Sequence, residues 1–145
     1  MKYLSKSEKQ TRKIAEKLAK KLKGGEVIAL IGELGTGKTV FIKGLARALG
    51  IKKTITSPTF VLMKIYPLMK FNLKTFCHLD AYRIKNSREL VDIGALEYFG
   101  AKNTISVIEW ADKVKKILPK NRVEIKLKFA KKENERTIDI NSKKR

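Results

Sequence analysis

"GELGTGKT", residues 32–39, fits the pattern G-x-x-x-x-G-K-[ST]. It follows an apolar run, "EVIALI", and opens a helix-like run, "KTVFIKGLARALG". A strand before and a helix after are the context this pattern needs in order to be a phosphate-binding loop rather than an ordinary glycine turn. In such a loop successive backbone N–H groups wrap the β-phosphate, and Gly32, Gly35 and Gly37 let the backbone come close. The helix that starts near Lys38 directs its positive end at the same phosphates. The contacting set predicted from the loop is Glu33, Leu34, Gly35, Thr36, Gly37, Lys38, Thr39 and Val40. Within it the Lys38 ammonium reaches the β- and γ-phosphate oxygens, and the Thr39 hydroxyl is a Mg²⁺ ligand. The chain is therefore expected to bind a nucleoside triphosphate.

Outward from the loop, residues 27–31 read as a buried strand because the run is almost continuously apolar. Upstream, Ser5 and Glu8 form an S-x-x-E capping box. Ile14, Ala15, Leu18, Ala19 and Leu22 then share one helical face, and Gly24 and Gly25 end that helix. Downstream, a helix from about 38 to 49 stops at Gly50. "TITSPTFVLMKIY" begins as a loop marked by Pro58 and becomes a strand. "PLMKFNLK" (67–74) turns the chain, and "TFCHLD" returns as a strand. "NSRELVDIGALEYFG" reads as short helical turns, "TISVIE" as a buried strand, and "WADKVKKILP" as a short helix stopped by Pro119. "RVEIKLKF" alternates Val123, Ile125, Leu127 and Phe129 with charged residues. With "RTIDI" it makes a closing antiparallel hairpin. No internal repeat or long linker interrupts residues 1–145, which read as one P-loop domain of the α/β class. Its central sheet is expected to be mixed but mostly parallel, flanked by helices and closed by the C-terminal antiparallel hairpin.

Composition supports one core. The chain has 145 residues, 43% of them apolar. No apolar run is long enough to span a membrane, and "MKYLSKSEKQTRKIAEK" is charged and amphipathic, unlike a signal peptide. The single cysteine, Cys77, excludes an intramolecular disulfide and fits a reducing cytoplasm. One His and one Cys do not build a zinc site by themselves. The net charge of +20 suits contact with nucleic acid, an acidic protein or anionic lipid. Lysines occur on every element, however, and the only basic tail is the short "SKKR", so compositional bias is favoured over a dedicated nucleic-acid stripe.

Two predicted strands end in carboxylates, Asp80 and Glu109. If both run parallel to residues 27–31, their ends lie at the edge where the phosphates sit. Asp80 then orients Mg²⁺ waters, and Glu109 orients or deprotonates the attacking water. Either acid alone is as easily a solvated strand end or a helix cap. Thr59, in "SPTF", occupies the place where many P-loop proteins keep a switch segment, although Ser57-Pro58 is also a sufficient reason for a turn there. Trp110 is placed either by the nucleotide or in the core. Arg83 pairs with Asp80, faces a partner or is solvated. His78 and Cys77 read as structural. No N-K-x-D segment reads guanine, and no arginine-rich lid stands out.

Taken in order and spacing, "GELGTGKTVFIKGLARALGI", "SPTF", "HLDAYRI", "DIGALEYF" and "VIEWADKV" resemble the bacterial TsaE (YjeE) family. The resemblance runs from the first helix to about Pro119, and "HLDAYR" followed by "IEWADK" is its most specific part. It implies an ATPase, weak alone, that supports turnover in tRNA threonylcarbamoyladenosine (t6A) synthesis together with the transferase TsaD and its paralogue TsaB. It further implies that Lys38 and Thr39 bind phosphate and Mg²⁺, that Asp80 supports the metal, and that Glu109 is the catalytic acid. The candidate metal set is thus Thr39, Asp80 and Glu109, with Lys38 assisting catalysis, Thr59 in the switch-like loop and Trp110 by the nucleotide. This chain departs from the family in its basicity, which leaves a tRNA contact open, and in its apolar turn. The alternatives are a small P-loop kinase acting on a metabolite and a basic, nucleotide-gated tRNA-binding module.

Overall fold

A computed structural model describes residues 1–70 and 72–142 of the protein. Phe71 of the apolar turn and positions 143–145 of the basic tail lie outside the described residues. The chain runs β1 (Lys2–Ser5), α1 (Glu8–Ala19), β2 (Val27–Ile31), α2 (Lys38–Ala48), β3 (Met63–Lys70), β4 (Leu73–Asp80), α3 (Arg88–Asp92), β5 (Thr104–Glu109), β6 (Val123–Phe129) and β7 (Arg136–Ser142). Short 3₁₀ segments occupy Ala95–Glu97 and Ala111–Ile117. The strands form one seven-stranded sheet in the order β1-β7-β6-β2-β5-β4-β3. Strands β6, β2, β5 and β4 are mutually parallel, and β3 at one edge and β7 and β1 at the other are antiparallel. The expected mixed, mostly parallel sheet with a closing hairpin is what forms.

Both faces of the central strands are covered, which is why they read as continuous apolar runs. Ile28, Leu30, Phe76, Ile105, Val107 and Ile125 face one core, with Phe41, Ile42 and Leu45 of α2 and Ile14 and Ala15 of α1. The alternate residues Val27, Ala29, Cys77, Leu79 and Ile108 face a second core closed by Leu90, Ala95, Ala111 and Val114. Phe41, Ile42 and Leu45 are wholly buried, and each such side chain contributes about 1.5–3 kcal/mol by leaving water. That burial fixes α2, and with it the loop at its N-terminus.

Three local expectations are corrected. The N-cap of α1 is Ser7, whose side chain accepts from Gln10 N, and Gln10 Oε1 accepts in return from Lys6 N at 2.7 Å. The helix cap therefore uses Ser7 and Gln10, two positions later than the S-x-x-E reading, with the return bond reaching Lys6, the residue before the cap, rather than the N-cap N–H of a strict capping box. Ser5 instead ends β1, paired with Arg136, and its buried hydroxyl bonds Thr11 Oγ1 at 2.7 Å. Helix α1 also ends at Ala19, before the glycines. Finally, "PLMK" is strand rather than turn: β3 continues through Lys70, pairing with β4 across a register shift. Leu68 is buried and Met69 is 99% exposed, because adjacent strand residues point to opposite faces.

Candidate functional site

The loop is shaped by what its glycines permit. Gly37, the residue before α2, sits at φ 100° with no side-chain cap on the helix. The first-turn N–H groups of α2 thus have no side-chain cap, the condition under which a helix N-terminus can take up an anion. A Cβ on Gly32 would stand 2.7 Å from both Leu127 O and Thr36 Oγ1, so only glycine lets the loop lie against β6. Thr36, buried, folds the loop by donating from Oγ1 to Glu33 O at 2.7 Å.

Lys38 curls over this loop, and its Nζ donates to Gly32 O and, at 2.9 Å, to Glu33 O. The same ammonium lies 4.2 Å from the centroid of the Trp110 ring. Burial pushes the Lys38 pKa below its ordinary 10.5, against the opposing pull of the Glu109, Asp80 and Asp112 charges. The indole is brought there by an unusual backbone. Trp110 has φ 57°, a left-handed conformation that costs a non-glycine residue about 1–2 kcal/mol. It turns the chain out of β5 so that the ring covers Lys38 and lies against Tyr82, with the ring centroids 5.0 Å apart and the planes tilted by 42°.

Sheet register brings the acids to the loop. Glu109 pairs with Asp80 on one side and with Leu30 on the other, so both carboxylates stand at the edge from which the loop departs. Lys38, Thr39, Thr59, Asp80, Glu109 and Trp110 line one cleft of about 590 Å³, together with Leu34, Gly35, Gly37 and Val40. Glu33 lies elsewhere, in a neighbouring cleft with Asp112 and Phe129, and reaches Lys38 only through its backbone carbonyl. Asp80 Oδ1 accepts from Tyr82 N at 2.9 Å, and Oδ2 accepts from the hydroxyls of Ser57 and Thr59 at 2.7 and 2.9 Å. The "SPTF" loop is thus tied to the carboxylate. Arg83 stacks its guanidinium 4.3 Å from the Phe60 ring centroid, and no ion pair joins it to Asp80 among the described residues.

Two contacts were not legible in sequence. His78, read as structural, places Nε2 2.8 Å from Glu109 Oε2. On the other side of the loop Ser7, Thr11, Asn134 and Arg136 line a second cleft with Gly35 and Val40, and Arg136 donates to Gly35 O at 3.3 Å. No local pattern marks these residues, because they meet only through the pairing of β1 with β7.

Among the described residues no cluster of three or more His, Cys, Asp or Glu side chains stands ready to hold a metal. Thr39, Asp80 and Glu109 are hard oxygen donors in one cleft. Such a sparse oxygen set fits Mg²⁺, which keeps waters and shares substrate phosphates rather than entering a protein cage. No described helix is long and apolar enough to cross a membrane.

A parallel sheet with a glycine loop running from β2 into α2 defines the P-loop class. Residues 5–138 match the model of the family described as "Threonylcarbamoyl adenosine biosynthesis protein TsaE", and the chain belongs to that family. It is 36% identical over 130 residues to the tRNA threonylcarbamoyladenosine biosynthesis protein TsaE of Bacillus subtilis, covering 90% of this chain and 78% of that one. It is 38% identical over 128 residues to the Treponema pallidum protein of the same name, covering 88% and 91%. The crystal structure of Bacillus subtilis YdiB superposes with a TM-score of 0.81 at 32% identity, over 99% of this chain and 86% of that one.

Proposed function

We propose that residues 1–145 form one cytoplasmic P-loop ATPase domain that binds ATP with Mg²⁺ and hydrolyses ATP in support of tRNA t6A synthesis. The observation that carries this reading is the register that sets Asp80 and Glu109 side by side on parallel strands, facing the loop that holds Lys38. Membership of the TsaE family supports the pathway.

In this reading the first-turn N–H groups of α2 bind the β-phosphate, and Lys38 exchanges the carbonyls of Gly32 and Glu33 for β- and γ-phosphate oxygens. Thr39, Asp80 and Glu109 are the residues that would hold Mg²⁺ or its waters. When bound, the ion neutralises phosphate charge and aligns the γ-phosphoryl group. Glu109 orients a water in line with the γ-phosphate and takes its proton; the bond to the β-phosphate oxygen breaks, and ADP leaves with Lys38 and the N–H groups holding the charge. The γ-phosphate lies on the carboxylate side, so the nucleoside extends towards the cleft of Ser7, Thr11, Asn134 and Arg136. The Thr59 loop reports nucleotide state to the partners, TsaD and TsaB in this pathway, and the basic surface is available to tRNA.

The test is ATP hydrolysis by the chain alone and with those two proteins. Release of phosphate to water, stimulated on assembly, is expected. A phosphorylated acceptor, or no hydrolysis in the complex, would overturn the reading.

A further inference from the structure

We propose that His78 is a positioning residue for Glu109, holding one carboxylate oxygen so that the other is aimed at the attacking water. The inference rests on the reading of Glu109 given above. His78 and Glu109 come from neighbouring parallel strands. Asp80 is opposite Glu109, and His78, two residues earlier on β4, projects from the same face. Nε2 of His78 is 2.8 Å from Glu109 Oε2, with the side chains 0% and 4% exposed. The contact is therefore shielded from water competition, unlike a surface pair.

The hydrogen-bond inventory selects the tautomer. Nδ1 of His78 is buried and has no partner among the described residues. A proton on Nδ1 would be a buried donor without an acceptor, which is costly. The arrangement with fewest penalties puts the proton on Nε2, where it is donated to the Glu109 carboxylate, and leaves Nδ1 as a bare lone pair. A glutamate side chain has three rotatable bonds, and without this donor its carboxylate is free to turn. With it, Oε2 is fixed and Oε1 keeps one direction. An imidazole N–H that orients a carboxylate is a recurrent way to place a reacting group, and loss of such a partner typically costs about 10–100-fold in activity.

A residue that merely fills the core would be replaceable by any side chain of similar size. His78→Leu keeps bulk and removes the donor. His78→Gln carries an amide N–H at about the position of Nε2. In the complex with TsaD and TsaB, His78→Leu is expected to lower kcat for ATP hydrolysis about 10–100-fold while the ATP dissociation constant stays within about two-fold, the pattern of an interaction used only in the transition state. His78→Gln should recover most of the lost kcat. Thermal melts establish that each variant is folded. In the chain alone, ¹⁵N NMR of the imidazole should show Nε2 protonated and Nδ1 bare, and the Nε2 signal should move in Glu109→Ala.

A folded His78→Leu with parent kcat, a His78→Gln as slow as His78→Leu, or an Nδ1-protonated ring each overturns the proposal. Glu109→Ala separates the two levels. If it abolishes hydrolysis and His78→Leu does not, only this inference falls. If Glu109→Ala hydrolyses at the parent rate, the reading of Glu109 falls and takes this one with it.

Discussion

The hydroxyl of Thr59 donates to Asp80 Oδ2 across 2.9 Å, so the loop between α2 and β3 is fastened to the carboxylate assigned to the metal side of the cleft. Ser57 shares that oxygen, and the loop end is held separately by Asp80 N donating to Leu62 O at 3.0 Å. Ser57→Ala combined with Thr59→Val should release residues 56–61 while leaving β2 intact. Hydrogen exchange is the measurement: faster exchange confined to the loop is expected, and unchanged loop exchange would show that the hydroxyls do not hold it.

Lys38→Ala should lose most ATP affinity and keep the fold. The side chain is buried, and burial lowers its pKa. Since the charged form is disfavoured in the folded state, removing it should not lower the melting temperature at neutral pH. Calorimetric titration with ATP decides the matter; affinity equal to the parent would remove Lys38 from the phosphate site.

Glu109→Ala and Asp80→Ala should fail differently. Loss of a group acting on water lowers the hydrolysis rate in the complex by about 10²–10⁴-fold. ATP affinity should stay near the parent value or rise slightly, since a negative charge near the phosphates is gone. Asp80→Ala should weaken the Mg²⁺ dependence of both binding and hydrolysis, because its role is present in the ground state.

Leu68 and Met69 are adjacent but opposite in environment. Leu68→Ser should destabilise by about 2–5 kcal/mol, combining lost burial with a cavity and a buried hydroxyl. Met69→Ser should stay within about 0.5 kcal/mol, as expected for an exposed site. Urea unfolding of both variants tests this, and equal effects would contradict the strand alternation of β3.

Cys77 is buried, and burial raises its thiol from an ordinary 9.0 to about 12, partly offset by a hydrogen bond from Ser106. The native protein should therefore be inert to thiol reagents at pH 8 and react once unfolded. The unfolded chain loses this proton more readily, so the contribution to stability is complete below about pH 9 and is lost as the pH rises towards 12. Denaturant unfolding of Cys77→Ala should lack that component of the alkaline decline.

Where the chemistry is local, the sequence carried it. The loop of residues 32–39 takes its shape from backbone conformations set within a few positions, and the apolar strand before it and the helix after it are legible from periodicity alone. The strand-ending acids Asp80 and Glu109 were visible for the same reason. Capping was legible as a rule but not in register, because "SKSEKQ" contains both an S-x-x-E and an S-x-x-Q, and only the pairing of Ser5 with Arg136 across the sheet decides between them. Strand β1, the approach of Arg136 to Gly35, and the bond from His78 to Glu109 depend on contacts between segments 31 to more than 100 positions apart. Such contacts are fixed by strand order and register, which follow from how the whole chain buries its apolar faces and not from the residues that end up touching.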